Sequence, residues 1–130
     1  MTVPHTVLVV DDEPDILLLH RLNLEAAGHR VVLAADGVTA LERIAEERPD
    51  AVVLDVMMPV LDGWGVLERL RTDPSPPPVL VVSAKSSPAD VNRARQLGAG
   101  DYLAKPYDPE ELLRRVARLL ASAEHDLPDG

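Results

Sequence analysis

A single α/β domain, a parallel sheet with helices on both faces, is what this sequence predicts, on three grounds. Five short runs rich in Val and Leu recur along the chain. Stretches with the apolar spacing of a helix fill the gaps between them. Gly, Pro and Asp stand at the joins, where turns and helix ends need them. Strand and helix alternating five times requires crossovers that lay helices on both sides of one sheet.

The elements follow in order. The first run, Thr6–Val10, leads through Asp12-Glu13 to Pro14, a good first helical residue with acids near the positive helix end. Gly28, after Glu25-Ala26-Ala27, stops that helix. The second run is Arg30–Ala34, and Asp36-Gly37 and Pro49-Asp50 bracket a second helix in which Leu41, Ile44 and Ala45 share a face. The third run, Ala51–Asp55, precedes a helix whose inner face is Gly63, Val66, Leu67 and Leu70. Asp73-Pro-Ser-Pro-Pro-Pro78 cannot be helical inside and reads as a stiff loop. Val79–Ser83 is the fourth run, and Gly98 and Gly100 end the helix after it. The fifth run, Asp101–Ala104, is followed by a helix with Leu113, Val116, Ala117 and Leu120 inward. Residues 5–121 thus form the domain, and 122–130 read as a flexible tail or linker stub. There is no internal repeat.

Composition narrows the function. The 130 residues are 46% apolar with mean hydropathy near zero, as in an ordinary folded domain. With Trp64, Tyr102 and Tyr107 the only aromatics, the core must be aliphatic, which suits a buried parallel sheet. A net charge of −9 argues against a nucleic-acid surface and is compatible with a bound cation. Zero cysteines exclude thiol chemistry, disulfides and Cys-bound zinc. The start, Met1-Thr-Val-Pro-His5, is not a secretory signal, and no apolar run approaches the ~18 residues of a membrane span, so the expected location is cytoplasmic. The four histidines are scattered singly without metal-ligand spacing and read as surface residues.

In parallel sheets the site lies at the carboxyl ends of the strands, so the residues just after each run matter most. Asp11-Asp12, Asp55, Ser83 and Lys105-Pro106 stand there. Taken singly, Asp11-Asp12 is as well explained as a helix cap, Ser83 as a structural hydroxyl and Lys105 as a solvated lysine. Together they bring three carboxylates, a hydroxyl and an ammonium to one edge. Clustered carboxylates repel, so a cation is the natural compensation, and an all-oxygen ligand set favours Mg²⁺.

Val-Leu-Val-Val-Asp11-Asp12-Glu13-Pro14, Leu54-Asp55-Val-Met-Met-Pro59, Leu61-Asp62-Gly63, Val82-Ser83-Ala84 and Tyr102-Leu-Ala-Lys105-Pro106 resemble the receiver domains of two-component response regulators. The resemblance spans about residues 5–121, with five separated signatures in order. It implies the flavodoxin-like (βα)5 fold, strand order 2-1-3-4-5. It implies Asp55 as phosphoacceptor and Mg²⁺ held by Asp11, Asp12, Asp55 and the Met57 backbone carbonyl. Lys105 and, after modification, Ser83 would contact the phosphoryl oxygens, and Pro106 would follow a cis peptide bond. Ser83 and Tyr102 would be the switch, altering the surface of the fourth helix, fifth strand and fifth helix, roughly residues 84–119. The donor would be a phosphohistidine on a sensor kinase or phosphotransfer protein. Arg93, Asp101, Glu111 and Arg115 lie where a phosphorylation-dependent homodimer through that surface would use them, although Gly100 stands where many DNA-binding relatives carry a second acid.

Two other readings compete. An aspartyl-phosphate phosphatase usually has a second acid two residues after its nucleophile, where this chain has Met57. A degenerate receiver acting only as a binding module would not need the full set of acids, hydroxyl and lysine. The expectation is therefore a signalling switch that catalyses its own modification, not a turnover enzyme.

Overall fold

The structure, a computed structural model, describes residues 4–125. Its elements run β1 (Thr6–Val10), α1 (Pro14–Ala26), β2 (Arg30–Ala34), α2 (Gly37–Glu47), β3 (Ala51–Asp55), α3 (Gly63–Leu70), β4 (Val79–Ser83), α4 (Pro88–Gln96), β5 (Asp101–Ala104) and α5 (Pro109–His125). All five strands occupy the runs read from the sequence. They form one parallel sheet in the order β2-β1-β3-β4-β5, the order the resemblance implies.

Alternation along the strands divides the core in two. Leu8, Val10, Val52, Leu54, Val79 and Val81 face a layer containing Ile44 of α2, Val66 and Leu67 of α3 and Ala94 of α4. Val7, Val9, Val53, Leu80 and Val82 face Leu24 of α1 and Leu112, Val116 and Leu120 of α5. β1, β3 and β4 are covered on both sides, which is why their sequences lack polar alternation. Each fully buried Leu contributes roughly 1.5–3 kcal/mol relative to exposure.

Local chemistry fixes the helix starts. Asp36 accepts the Thr39 N–H at 2.7 Å, Asp62 the Gly65 N–H at 2.9 Å and Ser87 the Asp90 N–H at 3.2 Å. α1 begins with Pro14 and has no side-chain cap at Glu13; Asp11 instead accepts the Glu13 N–H at 2.9 Å. Gly28 and Gly98 both sit at φ +95°, beyond the ends of α1 and α4, where a side chain would be strained.

Several expectations need correction. Ala45 is exposed, and Ala40 joins Leu41 and Ile44 on the inner face of α2. In α5, Leu112 and Leu119 are buried whereas Ala117 is exposed. Alanine fits either environment, so the helical spacing alone could not place it. Gly100 does not end α4; it precedes β5, where an added Cβ would meet Leu119 at 2.7 Å. The helix runs on into the stretch read as a tail: α5 continues to His125, because Ser122-Ala-Glu contains no helix breaker. The rest of the expected tail, 126–130, lies outside the described residues. Among the described residues no helix is long and apolar enough to cross a membrane.

Candidate functional site

Strand register builds the site. Val10 pairs with Leu54, so Asp11 and Asp55, the next residues on neighbouring strands, emerge side by side. Ser83 pairs with Ala104, and the Lys105 N–H continues the ladder to the Ser83 carbonyl at 2.9 Å. Asp11, Asp55 and Ser83 are buried, at 2%, 5% and 0% exposure, whereas Asp12 is exposed. Potential ligand oxygens of Asp11, Asp12 and Asp55 all lie within 4.8 Å of one another. Into this cluster reaches the half-buried Lys105, its Nζ 3.5 Å from Asp55 Oδ2 and 3.6 Å from Asp11 Oδ2. The other Asp55 oxygen, Oδ1, accepts the Met57 N–H at 3.2 Å.

The electrostatics agree with the geometry. Burial pushes the Asp55 carboxyl above its usual range and the Asp11 charge pushes it further, while Lys105 and the Met57 N–H oppose them. An oxygen-only set of carboxylates that burial and mutual repulsion disfavour is what a hard divalent cation such as Mg²⁺ relieves. The residues therefore fit that ion.

The loop from β3 to α3 holds the mouth of the pocket. Gly63 donates its N–H to Val56 at 2.9 Å, and a Cβ there would meet the Asp55 carbonyl oxygen at 2.7 Å and Val56 Cα at 2.8 Å. Only glycine lets α3 start this close to the strand that carries Asp55. Val60 takes φ +70°, a strained value for a β-branched residue, and is 87% exposed. The Met57 side chain is also exposed.

The two expected switch residues meet on one residue of the β4–α4 connection. Ser83 Oγ accepts the Lys85 N–H at 3.0 Å, and the Tyr102 hydroxyl donates to the Lys85 carbonyl. Burial raises the Tyr102 phenol, and the neighbouring Ser83 hydroxyl opposes that. The Lys105–Pro106 peptide is cis, as the resemblance implies. Of the four charges compatible with a homodimer, Arg93 stacks over Trp64 at 4.4 Å. The other three are paired within the chain: Arg115 holds Asp101 at 2.9 Å and Glu111 at 2.8 Å.

Sequence reasoning missed one side chain. His20, read as a surface residue, is 5% exposed, its Nε2 is 2.6 Å from the Tyr107 hydroxyl and the two rings stack 5.8 Å apart. Its neighbours explain the miss: Leu18, Leu19 and Leu22 of the same helix are exposed, so hydrophobicity points away from the true inner face.

A five-stranded parallel sheet in the order β2-β1-β3-β4-β5 with three acids and a lysine at its carboxyl edge defines a class, the flavodoxin-like α/β modules with an acidic site at the strand ends. Comparison with known proteins gives the particular member of that class. A model of the response regulator receiver domain family matches residues 7–117, and this chain belongs to that family. It is 43% identical over 124 residues to the alkaline phosphatase synthesis transcriptional regulatory protein PhoP of Bacillus subtilis, covering 95% of this chain and 52% of that protein. It is 48% identical over 114 residues to the response regulator MprA of Mycobacterium ulcerans, covering 88% of this chain and 49% of that one. The chain thus spans about half the length of these relatives. Among solved structures, a putative response regulator from Chloroflexus aurantiacus superposes with TM-score 0.85 at 39% identity, covering 92% and 99% of the two chains. The chemotaxis protein CheY4 of Vibrio cholerae does so with TM-score 0.83 at 33% identity, covering 90% and 99%.

Proposed function

We propose that Asp55 accepts a phosphoryl group from a phosphohistidine on a sensor histidine kinase or histidine phosphotransfer protein. One observation carries this reading: Lys105 stands 3.5 Å from Asp55 and 3.6 Å from Asp11 inside a pocket of three carboxylates. An ionised Asp55 oxygen attacks phosphorus in line. The new P–O bond forms as the N–P bond of the donor breaks, and the imidazole departs with the electron pair. Such a transfer needs positioning and charge neutralisation more than covalent help.

Each residue has a part. Mg²⁺, held by Asp11, Asp12, Asp55 and the Met57 carbonyl, would supply positive charge to the transferring oxygens. Lys105 shifts from the carboxylates to a phosphoryl oxygen. The Ser83 hydroxyl, which now accepts from Lys85, has a proton to donate to another. Because the Lys85 peptide groups hold both Ser83 and Tyr102, drawing Ser83 toward the phosphoryl group disturbs Tyr102. That carries the change to the face of α4, β5 and α5. The exposed Leu18, Leu19 and Leu22 on α1, the helix leaving the Asp11-Asp12 loop, favour a protein donor that covers them.

Asp55 itself carries the product and must be hydrolysed free before it reacts again, so the domain is a switch and not a turnover enzyme. It acts in the cytoplasm, where histidine kinases phosphorylate their partners, and its charge of −9 leaves DNA contact to other parts of a longer protein. Incubation with a small acyl phosphate should add one phosphoryl mass in Mg²⁺ and none in chelator. Equal labelling of Asp55→Asn would overturn the assignment.

A further inference from the structure

The segment that delivers Lys105 is short and irregular. β5 ends at Ala104 and α5 begins at Pro109, leaving 105–108 to aim the lysine. At one end the Lys105 N–H is fixed to Ser83, and at the other Asp108 receives the first N–H groups of α5, from Glu111 and Leu112. Pro106, between them, has no N–H to give. The Tyr107 side chain ties this stretch to α1, through the stacked and hydrogen-bonded contact with His20.

We propose that the His20–Tyr107 pair is a positioning element for the phosphorylation site, holding the Lys105 loop against α1 so that the ammonium stands between Asp55 and Asp11. The inference rests on the phosphoacceptor reading above. α1 is the appropriate anchor because it leaves directly from the loop that carries Asp11 and Asp12. One tie on His20 therefore links the acid loop and the lysine loop. Lys105, His20 and Tyr107 also line the same cleft of about 340 Å³ between α1 and the β5–α5 segment.

The chemistry of the pair suits a fixed strut. Burial pushes the Tyr107 phenol up to about 12, with the Asp11 and Asp55 charges adding to it, so the hydroxyl keeps its proton. Burial lowers His20 despite the Asp11 charge, which favours the neutral ring, and the tautomer sets whether Nε2 or the hydroxyl donates in their contact. The other ring nitrogen, Nδ1, is buried with no partner among the described residues. The contact of Nε2 with the Tyr107 hydroxyl is therefore the polar tie that fixes this ring.

The test is a double-mutant cycle on the rate of acyl-phosphate labelling in saturating Mg²⁺. Tyr107→Phe keeps the ring and removes the hydroxyl, and losing one hydrogen bond that orients a charge should slow labelling about fivefold. In a Lys105→Ala protein the same change should alter the rate less than twofold, because the group being positioned is gone. His20→Gln, whose amide can stand where Nε2 does, should retain more of the rate than His20→Leu at matched melting temperature. A Tyr107→Phe effect of the same size with and without Lys105, or no effect at all, overturns the proposal, as does a His20→Leu rate equal to that of His20→Gln. Failure of the native protein to label at Asp55 would overturn the phosphoacceptor reading first and this proposal with it.

Discussion

Replacing Asp55 by Asn should make the metal-free protein more stable, and the structure says by roughly how much. Ligand oxygens of Asp11, Asp12 and Asp55 lie within 4.8 Å of one another, where two charges repel by about 3.5 kcal/mol at an effective dielectric of about 20. Asp12 is exposed, so solvent screens its share to about half. Lys105, 3.5 Å from Asp55, returns about 5 kcal/mol on the same scale. Attraction and repulsion nearly cancel, and burial of the carboxylate decides the sign. The remaining penalty is on the order of 1–2 kcal/mol. Asp55→Asn should therefore raise the melting temperature in chelator by about 3–8 °C.

The pH dependence has a definite sign. The folded-state carboxyl titrates above its ordinary value of 3.8, so the folded form binds the proton more tightly than the unfolded chain. The penalty is absent below that value, grows as pH rises toward the raised folded value and is constant above it. The gap between Asp55→Asn and native melting should follow that course. Mg²⁺ should close it, since a ligand at a hundredfold its Kd stabilises by about 2.7 kcal/mol. Scanning calorimetry from acid to neutral pH, in chelator and in Mg²⁺, measures all of this. A lower melting temperature for Asp55→Asn in chelator, or equal Mg²⁺ stabilisation of both proteins, would refute the reasoning.

Further outcomes follow from other parts of the molecule. Gly63→Ala should lose about 2 kcal/mol or more, because its Cβ would meet backbone that cannot yield, and denaturant midpoints would read this. Val60→Asn should gain about 1 kcal/mol by placing at φ +70° a residue that tolerates it; an unchanged midpoint would show no strain there. Ser83→Ala should still accept phosphate yet lose most of the amide-exchange response in α4 and β5, and a full response would point to another route. Met57→Asn with Lys85→Glu should speed loss of phosphate by supplying groups that orient water, measured as decay of the labelled mass; unchanged or slower decay counts against it.

What could be read in advance was set by local pattern. β1, β3 and β4 are continuous apolar runs because both faces of each are covered, and such runs have visible ends. Since parallel strands place chemistry at those ends, Asp11, Asp55, Ser83 and Lys105 were legible before any contact was known. The inner face of α5 was read less well, because Ala117 resembles a core residue and gives no sign of its exposure. His20 was illegible for two reasons. Its helix carries leucines on the solvent side, and its partner is 87 residues away along the chain. A contact that distant leaves no periodicity to detect. Val60 was likewise hidden, since nothing in its side chain announces a positive φ.

The stacking of Arg93 on Trp64 has an optical consequence. Trp64 is the single indole of the protein and sits in α3, whose first residue rests against the Asp55 carbonyl; the guanidinium above its ring comes from α4. Indole emission shifts with the field across the ring, and a cation 4.4 Å from the centroid contributes to that field. All tryptophan fluorescence from this protein therefore originates at one ring, carried by the helix that follows Asp55 and covered by an arginine of α4. Any displacement of α4 relative to α3 should appear as a change in colour or intensity, with no label attached.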